Sequence, residues 1–121
     1  MTRSSVKSYT PALFSGRIAL MPFHRAAKID DIPAGTIREF QVNGKSVAIA
    51  HLEDKFFAIN SICLHHGGPL GEGDLEGSLV SCPWHGWQYD VTTGKLVQQP
   101  ETGVECYPTE LRGDEIYVDL A

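Results

Sequence analysis

Two short cysteine–histidine motifs limit what this 121-residue chain can fold into more than any other feature of its sequence. The first motif is Cys63-Leu64-His65 and the second is Cys82-Pro83-Trp84-His85, with 16 residues between His65 and Cys82. Both motifs lie in stretches rich in glycine and proline, which can be shaped around an inorganic group. Two thiolates and two imidazoles on two loops can hold either one zinc ion or one [2Fe–2S] cluster.

The rest of the chain predicts an all-β body of short antiparallel strands. Residues 36–42 alternate in polarity and end at Asn43-Gly44, a strong hairpin signal, after which Ser46–His51 is the predicted return strand. A third strand is predicted at Lys55–Asn60, whereas Cys63–Asp74 contains too much glycine and proline for regular structure. Further strands are predicted at Leu79–Ser81, Gln88–Val91, Lys95–Gln98, Gly103–Tyr107 and Glu115–Leu120. We therefore expect a β-body that carries a smaller loop-and-hairpin lobe at about residues 61–100.

The charge of the chain is divided unevenly along its length. Residues 1–28 hold five basic residues and no acid, and residues 29–121 hold fifteen acids and five bases, a formal charge of -10. An acidic body repels nucleic acid and favours partners with basic patches. We divide the chain into an N-terminal extension, residues 1–22, and one domain, residues 23–121.

Hydropathy and cysteine content indicate a chain of the cytoplasm. The sequence has no apolar run of about 18 residues, so we expect no membrane insertion. The three cysteines are an odd number, which does not suit a disulfide scaffold and fits a reducing compartment better.

The residues that flank the two motifs favour iron–sulfur over zinc. They read Cys63-Leu64-His65-His66-Gly67-Gly68-Pro69-Leu70 and Cys82-Pro83-Trp84-His85-Gly86-Trp87-Gln88-Tyr89-Asp90. Zinc sites that begin with Cys-x-His are uncommon. The sequence resembles the Rieske family in its four ligand types, their order and the gap between them, over roughly residues 29–120. The resemblance implies a Rieske-type fold, an antiparallel β-body with a small inserted cluster-binding lobe, and one [2Fe–2S] cluster per chain.

The resemblance also implies a role for each of the four ligands. Cys63 and Cys82 would bind the inner iron, and His65 and His85 the outer, more exposed iron. Two ferric ions, two sulfides and two thiolates are neutral together, whereas four thiolates would leave a net negative charge. An electron enters the neutral site more easily, so histidine ligation raises the reduction potential.

Departures from the family pattern point to its low-potential branch. High-potential members join the two loops by a disulfide and place a serine two residues after the second histidine. Gly68, Trp84 and Trp87 occupy those positions here. Hydrogen bonds to sulfur stabilise the reduced cluster, so we expect a potential near the negative end of the range of about −150 to +300 mV. Tyr89 is retained, and it either donates to a sulfur or serves to pack the core.

The low-potential branch implies a one-electron carrier rather than a catalyst on its own. Rieske ferredoxins of ring-hydroxylating oxygenase systems take electrons from an NAD(P)H-dependent reductase and pass them to a terminal oxygenase. We expect no oxygenase catalytic domain in this chain. The alternative is a Rieske subunit fixed in a larger redox complex, such as a nitrite reductase, to which the basic N-terminal extension could dock.

A few other residues carry separate expectations. Glu72, Asp74 and Glu76 form either an acidic docking surface or ordinary solvated loop charge. His66 is expected to be a surface residue of the loop and not a ligand. Cys106, in the predicted strand Gly103–Tyr107, is expected to be a small buried residue.

Overall fold

The computed structural model describes residues 23–64, 67–84 and 86–120, which form an antiparallel β-protein with two single-turn 3₁₀ helices. The all-β prediction is confirmed. The N-terminal extension, residues 1–22, lies outside the described residues. The 3₁₀ turns are Ile29–Asp31 and Leu70–Glu72. The strands are β1 (Phe23–Lys28), β2 (Ile37–Val42), β3 (Lys45–Leu52), β4 (Lys55–Asn60), β5 (Asp74–Glu76), β6 (Leu79–Ser81), β7 (Gln88–Asp90), β8 (Lys95–Leu96), β9 (Gln99–Gly103), β10 (Cys106–Tyr107), β11 (Thr109–Arg112) and β12 (Glu115–Asp119).

Within the described residues the strands form three sheets. One has the order β1-β12-β11, the second β10-β4-β3-β2, and the third β5-β6-β7-β8-β9. The second sheet contains the predicted meander, and its β2–β3 hairpin turns at Asn43-Gly44, both with positive φ. The third sheet is built only from residues 74–103, and the second cysteine motif lies between its strands β6 and β7.

The central sheet buries side chains on both of its faces. The run Val47 to Ala50 in β3 is fully buried, because neighbouring side chains of a strand point to opposite sides. Val47 and Ile49 belong to a core that is closed by β1 and β12, whereas Ala48 and Ala50 belong to a second core. This second core also contains both cysteines of the motifs, and it joins the central sheet to the segment that follows β4.

Two predictions near the end of the chain are wrong. The predicted strand Gly103–Tyr107 is divided, since β9 ends at Gly103 and β10 begins at Cys106. Cys106 is exposed rather than buried. In the two-residue β10, Tyr107 points into the first core, so the alternation of the strand turns Cys106 the other way, at the sheet edge.

Candidate metal centre

The first cysteine loop begins directly after β4 and is closed by two backbone hydrogen bonds. The Cys63 N–H donates to the Gly68 carbonyl (2.9 Å), and the Gly67 N–H donates to the Cys63 carbonyl (3.0 Å). Gly67 has a φ of 75°, a left-handed conformation that glycine adopts without steric cost. The loop therefore turns back on Cys63 and holds its backbone in place.

The second cysteine loop repeats the same pattern between β6 and β7. The Cys82 N–H donates to the Trp87 carbonyl (2.7 Å), and the Gly86 N–H donates to the Cys82 carbonyl (2.9 Å). Gly86 has a φ of 76°. In both loops the glycine lies four residues after the cysteine and the accepting carbonyl five residues after it. The chain thus presents its two cysteines on two loops of equivalent backbone hydrogen bonding.

Both cysteine side chains are buried in the second core beside one tyrosine. Cys63 is 2% exposed, Cys82 is 3% exposed and Tyr89 is fully buried. The Tyr89 hydroxyl lies 3.3 Å from the Cys63 sulfur and accepts the Leu64 N–H at 3.0 Å. The structure therefore places the Tyr89 hydroxyl within hydrogen-bond distance of the Cys63 sulfur and packs its ring in the second core.

The environment of Tyr89 keeps its hydroxyl protonated. Burial is the largest cause that raises the pKa of Tyr89, followed by its hydrogen bond with Cys63, and the charges of Cys63 and Cys82 act in the same direction. The phenol proton is then available to a sulfur acceptor, since the Leu64 N–H already occupies the oxygen as a donor.

The two loops pack against each other without space at Gly68. A Cβ built on Gly68 would lie 2.7 Å from the Cys82 sulfur and 3.1 Å from ring atoms of Trp84. Any side chain at residue 68 would displace the sulfur or the indole. The glycine that replaces the disulfide position of the high-potential branch is thus required by the packing of this site.

The predicted ligand set includes two imidazoles in addition to the two thiols. His65 and His85 lie outside the described residues, as does His66. Within the described ranges no group of three or more His, Cys, Asp and Glu side chains could hold a metal ion. The part that is described, two buried thiols with a phenol donor beside them, fits a group that needs thiolate ligands and hydrogen-bond donors.

Three large apolar side chains are exposed on the described part of the two loops. Ile62, Leu64 and Trp84 are 51%, 53% and 56% exposed. Residues 62–71 and 82–89 contain no Asp, Glu, Lys or Arg. We call the three exposed side chains the apolar rim. Sequence reasoning missed the rim, although the lack of charge in both motifs was a visible signal for it.

The acidic stretch lies just beyond the first loop. Glu72, Asp74 and Glu76 are all exposed, the last two on β5 with the half-buried Leu75 between them. Strand alternation accounts for this arrangement, because Asp74 and Glu76 share the outer face. The stretch is therefore an exposed acidic surface on the Leu70–Glu72 turn and on β5.

Comparison with known proteins assigns the fold and the centre to a class. Residues 23–108 match the family described as "Rieske [2Fe-2S] domain". The chain is 33% identical over 96 residues to the ferredoxin component of naphthalene 1,2-dioxygenase/salicylate 5-hydroxylase systems from Ralstonia sp.. That alignment covers 78% of this chain and 92% of the relative.

Solved structures agree with this assignment. The ferredoxin of carbazole 1,9a-dioxygenase from Nocardioides aromaticivorans IC177 superimposes with a TM-score of 0.72 at 30% identity, over 78% of this chain and 93% of that one. A complex of reduced oxygenase and oxidized ferredoxin in carbazole 1,9a-dioxygenase also matches, with a TM-score of 0.72 at 29% identity, over 81% of this chain and 93% of that one. The chain belongs to the Rieske [2Fe–2S] family, and the cofactor of its centre is a Rieske cluster.

Proposed function

We propose that the protein is a one-electron carrier that receives electrons from an NAD(P)H-dependent reductase and passes them to a terminal oxygenase. The observation that carries the proposal is the pair of equivalent loops, which present two buried cysteines beside Tyr89. It is supported by similarity to ferredoxin components of dioxygenase systems over nearly their whole length. The protein would be an electron-transfer component of an oxidoreductase system in the cytoplasm, not a catalyst on its own.

We assign Cys63 and Cys82 to the inner iron and His65 and His85 to the outer iron, within a lobe at about residues 61–100. The cluster supplies the uptake and release of one electron. Tyr89 would donate its phenol proton to the Cys63 sulfur, which becomes a better acceptor when the centre carries the extra electron. The packed side of the loops keeps water from the thiolates.

The apolar rim is the surface through which we expect the electron to leave. Exposed large hydrophobic side chains next to a buried centre are typical of interaction sites. Binding at the rim would form no salt bridges with these apolar side chains, so a partner could associate and dissociate quickly. Among the described residues, no helix could span a membrane.

The cofactor assignment is tested by composition and spectroscopy. Protein purified or reconstituted without oxygen should contain about two irons and two labile sulfides per chain, as this cluster type requires. The reduced form should give the rhombic paramagnetic signal of a mixed-ligand cluster. One tightly bound zinc without sulfide would contradict the proposal.

The ligand assignment is tested by replacement of single histidines. His65→Ala and His85→Ala each remove an iron ligand and should lose or destabilise the cluster. His66→Ala, a change of the neighbouring residue, is the matched control and should keep it. If His66→Ala bleaches the protein while His65→Ala does not, the first motif has been misassigned.

A kinetic measurement distinguishes the carrier from a subunit fixed in a larger complex. A shuttle is reduced and reoxidised in bimolecular steps, so each observed rate should rise in proportion to partner concentration until binding saturates. A fixed subunit would co-purify with its partner and show rates that are independent of added protein.

A further inference from the structure

The first cysteine loop is fixed to the central sheet through one buried hydroxyl. Ser61, two residues before Cys63, is fully buried and is the buried polar side chain of the described core. Its backbone oxygen accepts the Leu70 N–H at 2.6 Å and its hydroxyl oxygen accepts the Gly71 N–H at 3.0 Å. One residue thus holds the strand that enters the loop and the turn that leaves it.

The proton of the Ser61 hydroxyl is directed to a carboxylate on another strand. Ser61 donates to Oε1 of Glu39, which lies on β2 and is half-buried. The direction is unambiguous, because the Gly71 N–H can only donate and the ionised carboxylate can only accept. The chain of hydrogen bonds runs from Gly71 through Ser61 to Glu39. We call these three residues the clamp.

The clamp leaves no space between the loop and the sheet. A Cβ built on Gly71 would lie 2.4 Å from the Cβ of Glu39 and 2.7 Å from its Cα and backbone nitrogen. Glycine is therefore needed at residue 71 for the turn to reach β2. Because the turn packs directly on β2, its position depends on the strand beneath it.

We propose that Ser61 and Glu39 are positioning residues that set the geometry of the Cys63 loop, and through it the retention and the electronic environment of the cluster. The proposal rests on the proposed function, because the loop it concerns carries an assigned ligand. The second loop is entered through Ser81, the last residue of β6. The Ser81 hydroxyl accepts a hydrogen bond of 3.5 Å from the Gln88 side chain.

Ser61→Ala tests the clamp in the cluster-loaded protein. The change leaves the buried Gly71 N–H without its acceptor and Glu39 without its donor. The rate at which a chelator bleaches the visible absorbance should rise about tenfold, which corresponds to about 1.4 kcal/mol. The visible circular dichroism and the midpoint potential should shift as well, because the loop that holds Cys63 moves.

The strand partners supply the matched variants. Glu39→Gln keeps an oxygen acceptor for Ser61 and should stay within about twofold of the wild-type rate, whereas Glu39→Ala should behave like Ser61→Ala. The double variant with Ser61→Ala and Glu39→Ala should lose its cluster no faster than either single variant, because both changes break the same chain of hydrogen bonds. Ser46→Ala is the control, because it removes only the side-chain bond that Ser46 accepts from Gln41 and keeps the Ser46 carbonyl that accepts the Ser61 N–H.

A second measurement separates failure of the clamp from failure of the cofactor assignment. Amide hydrogen exchange at Gly71 should accelerate at least about tenfold in Ser61→Ala and stay unchanged in Ser46→Ala, whichever cofactor the protein binds. The inference is overturned if Gly71 exchange and cluster release are both unchanged in Ser61→Ala. It is equally overturned if Ser61→Ala and Ser46→Ala lower stability alike while potential and dichroism stay at wild-type values.

Discussion

Tyr89 connects the core to the first cysteine through a single oxygen atom. The hydroxyl accepts the Leu64 N–H and faces the Cys63 sulfur, so the sulfur is the acceptor available to its proton. Burial prevents its ionisation, since it raises the pKa of Tyr89. A neutral donor aimed at sulfur stabilises the state in which the sulfur carries more charge. With this geometry, Tyr89 would stabilise the reduced cluster more than the oxidised cluster.

Tyr89→Phe should therefore lower the midpoint potential by about 40 mV, the one-electron equivalent of a hydrogen bond of about 1 kcal/mol. The ring still fills the core, so the cluster should remain bound. Tyr107→Phe is the control, because Tyr107 is buried in the first core and does not belong to the core of the cysteines. Protein-film voltammetry of the three proteins measures the effect. A potential that is unchanged or higher in Tyr89→Phe would contradict this role.

At the scale of elements, the two loops act as one packed unit. Each loop closes on its own cysteine, and the backbone of Gly68 in the first loop lies against the sulfur and the indole of the second. A mechanical connection of this kind takes the place of a covalent one in a chain with no cysteine at residues 68 and 84. The position of the Cys82 sulfur then depends on the first loop.

Gly68→Ala should displace the Cys82 sulfur, because the added methyl would lie 2.7 Å from it. We expect loss of most of the cluster on purification, with the apo-protein still folded, as judged by far-ultraviolet circular dichroism. Gly77→Ala is the control, since its Cβ meets nothing within 4 Å and the change costs only the strain of a φ of 61°. That strain is about 1 kcal/mol. Full cluster content in Gly68→Ala would show that the loops can separate.

Local patterns in the sequence predict the strands that carry several buried apolar residues, and fail for those that carry few. The β2–β3 hairpin is predictable because alternation and Asn43-Gly44 point to the same structure. The strand β5 has only the half-buried Leu75 between two exposed acids, and most of β11 is exposed, so neither gives a periodic signal. Their pairing is decided by neighbouring strands that are distant in sequence.

The candidate site also has one part that the sequence predicts and one part that it does not. Ligand type and spacing identify the motifs because the chemistry of the metal restricts them. The clamp between Ser61 and Glu39 gives no such signal, since the two residues are 22 positions apart and both are ordinary surface residue types. Only the register of β2 against β3 and β4 brings them together.

At the scale of the whole molecule, the apolar rim and the acidic body have separate tasks in binding. Leu64→Ala should reduce the second-order rate constant for electron transfer to the acceptor about tenfold, the size of one apolar interface contact of about 1.4 kcal/mol. The potential should not change, because the Leu64 N–H that bonds Tyr89 is retained. Leu111→Ala, a change of an equally apolar residue that is 46% exposed on β11, should have no effect. Equal losses in the two variants would place the contact elsewhere.

The charge of the body should act before contact, by steering the approach. Residues 29–121 carry a formal charge of -10 and the acidic stretch is exposed, whereas the three side chains of the rim are apolar. A basic partner is then attracted over roughly 10 Å at 0.1 M salt, and less as the salt rises. We expect the bimolecular rate to fall steeply between low and physiological ionic strength, while the saturated rate within the complex stays constant. Stopped-flow mixing of reduced protein with its acceptor at several salt concentrations separates the two rates. A bimolecular rate that is indifferent to salt would instead indicate a permanent apolar interface, and therefore a subunit rather than a carrier.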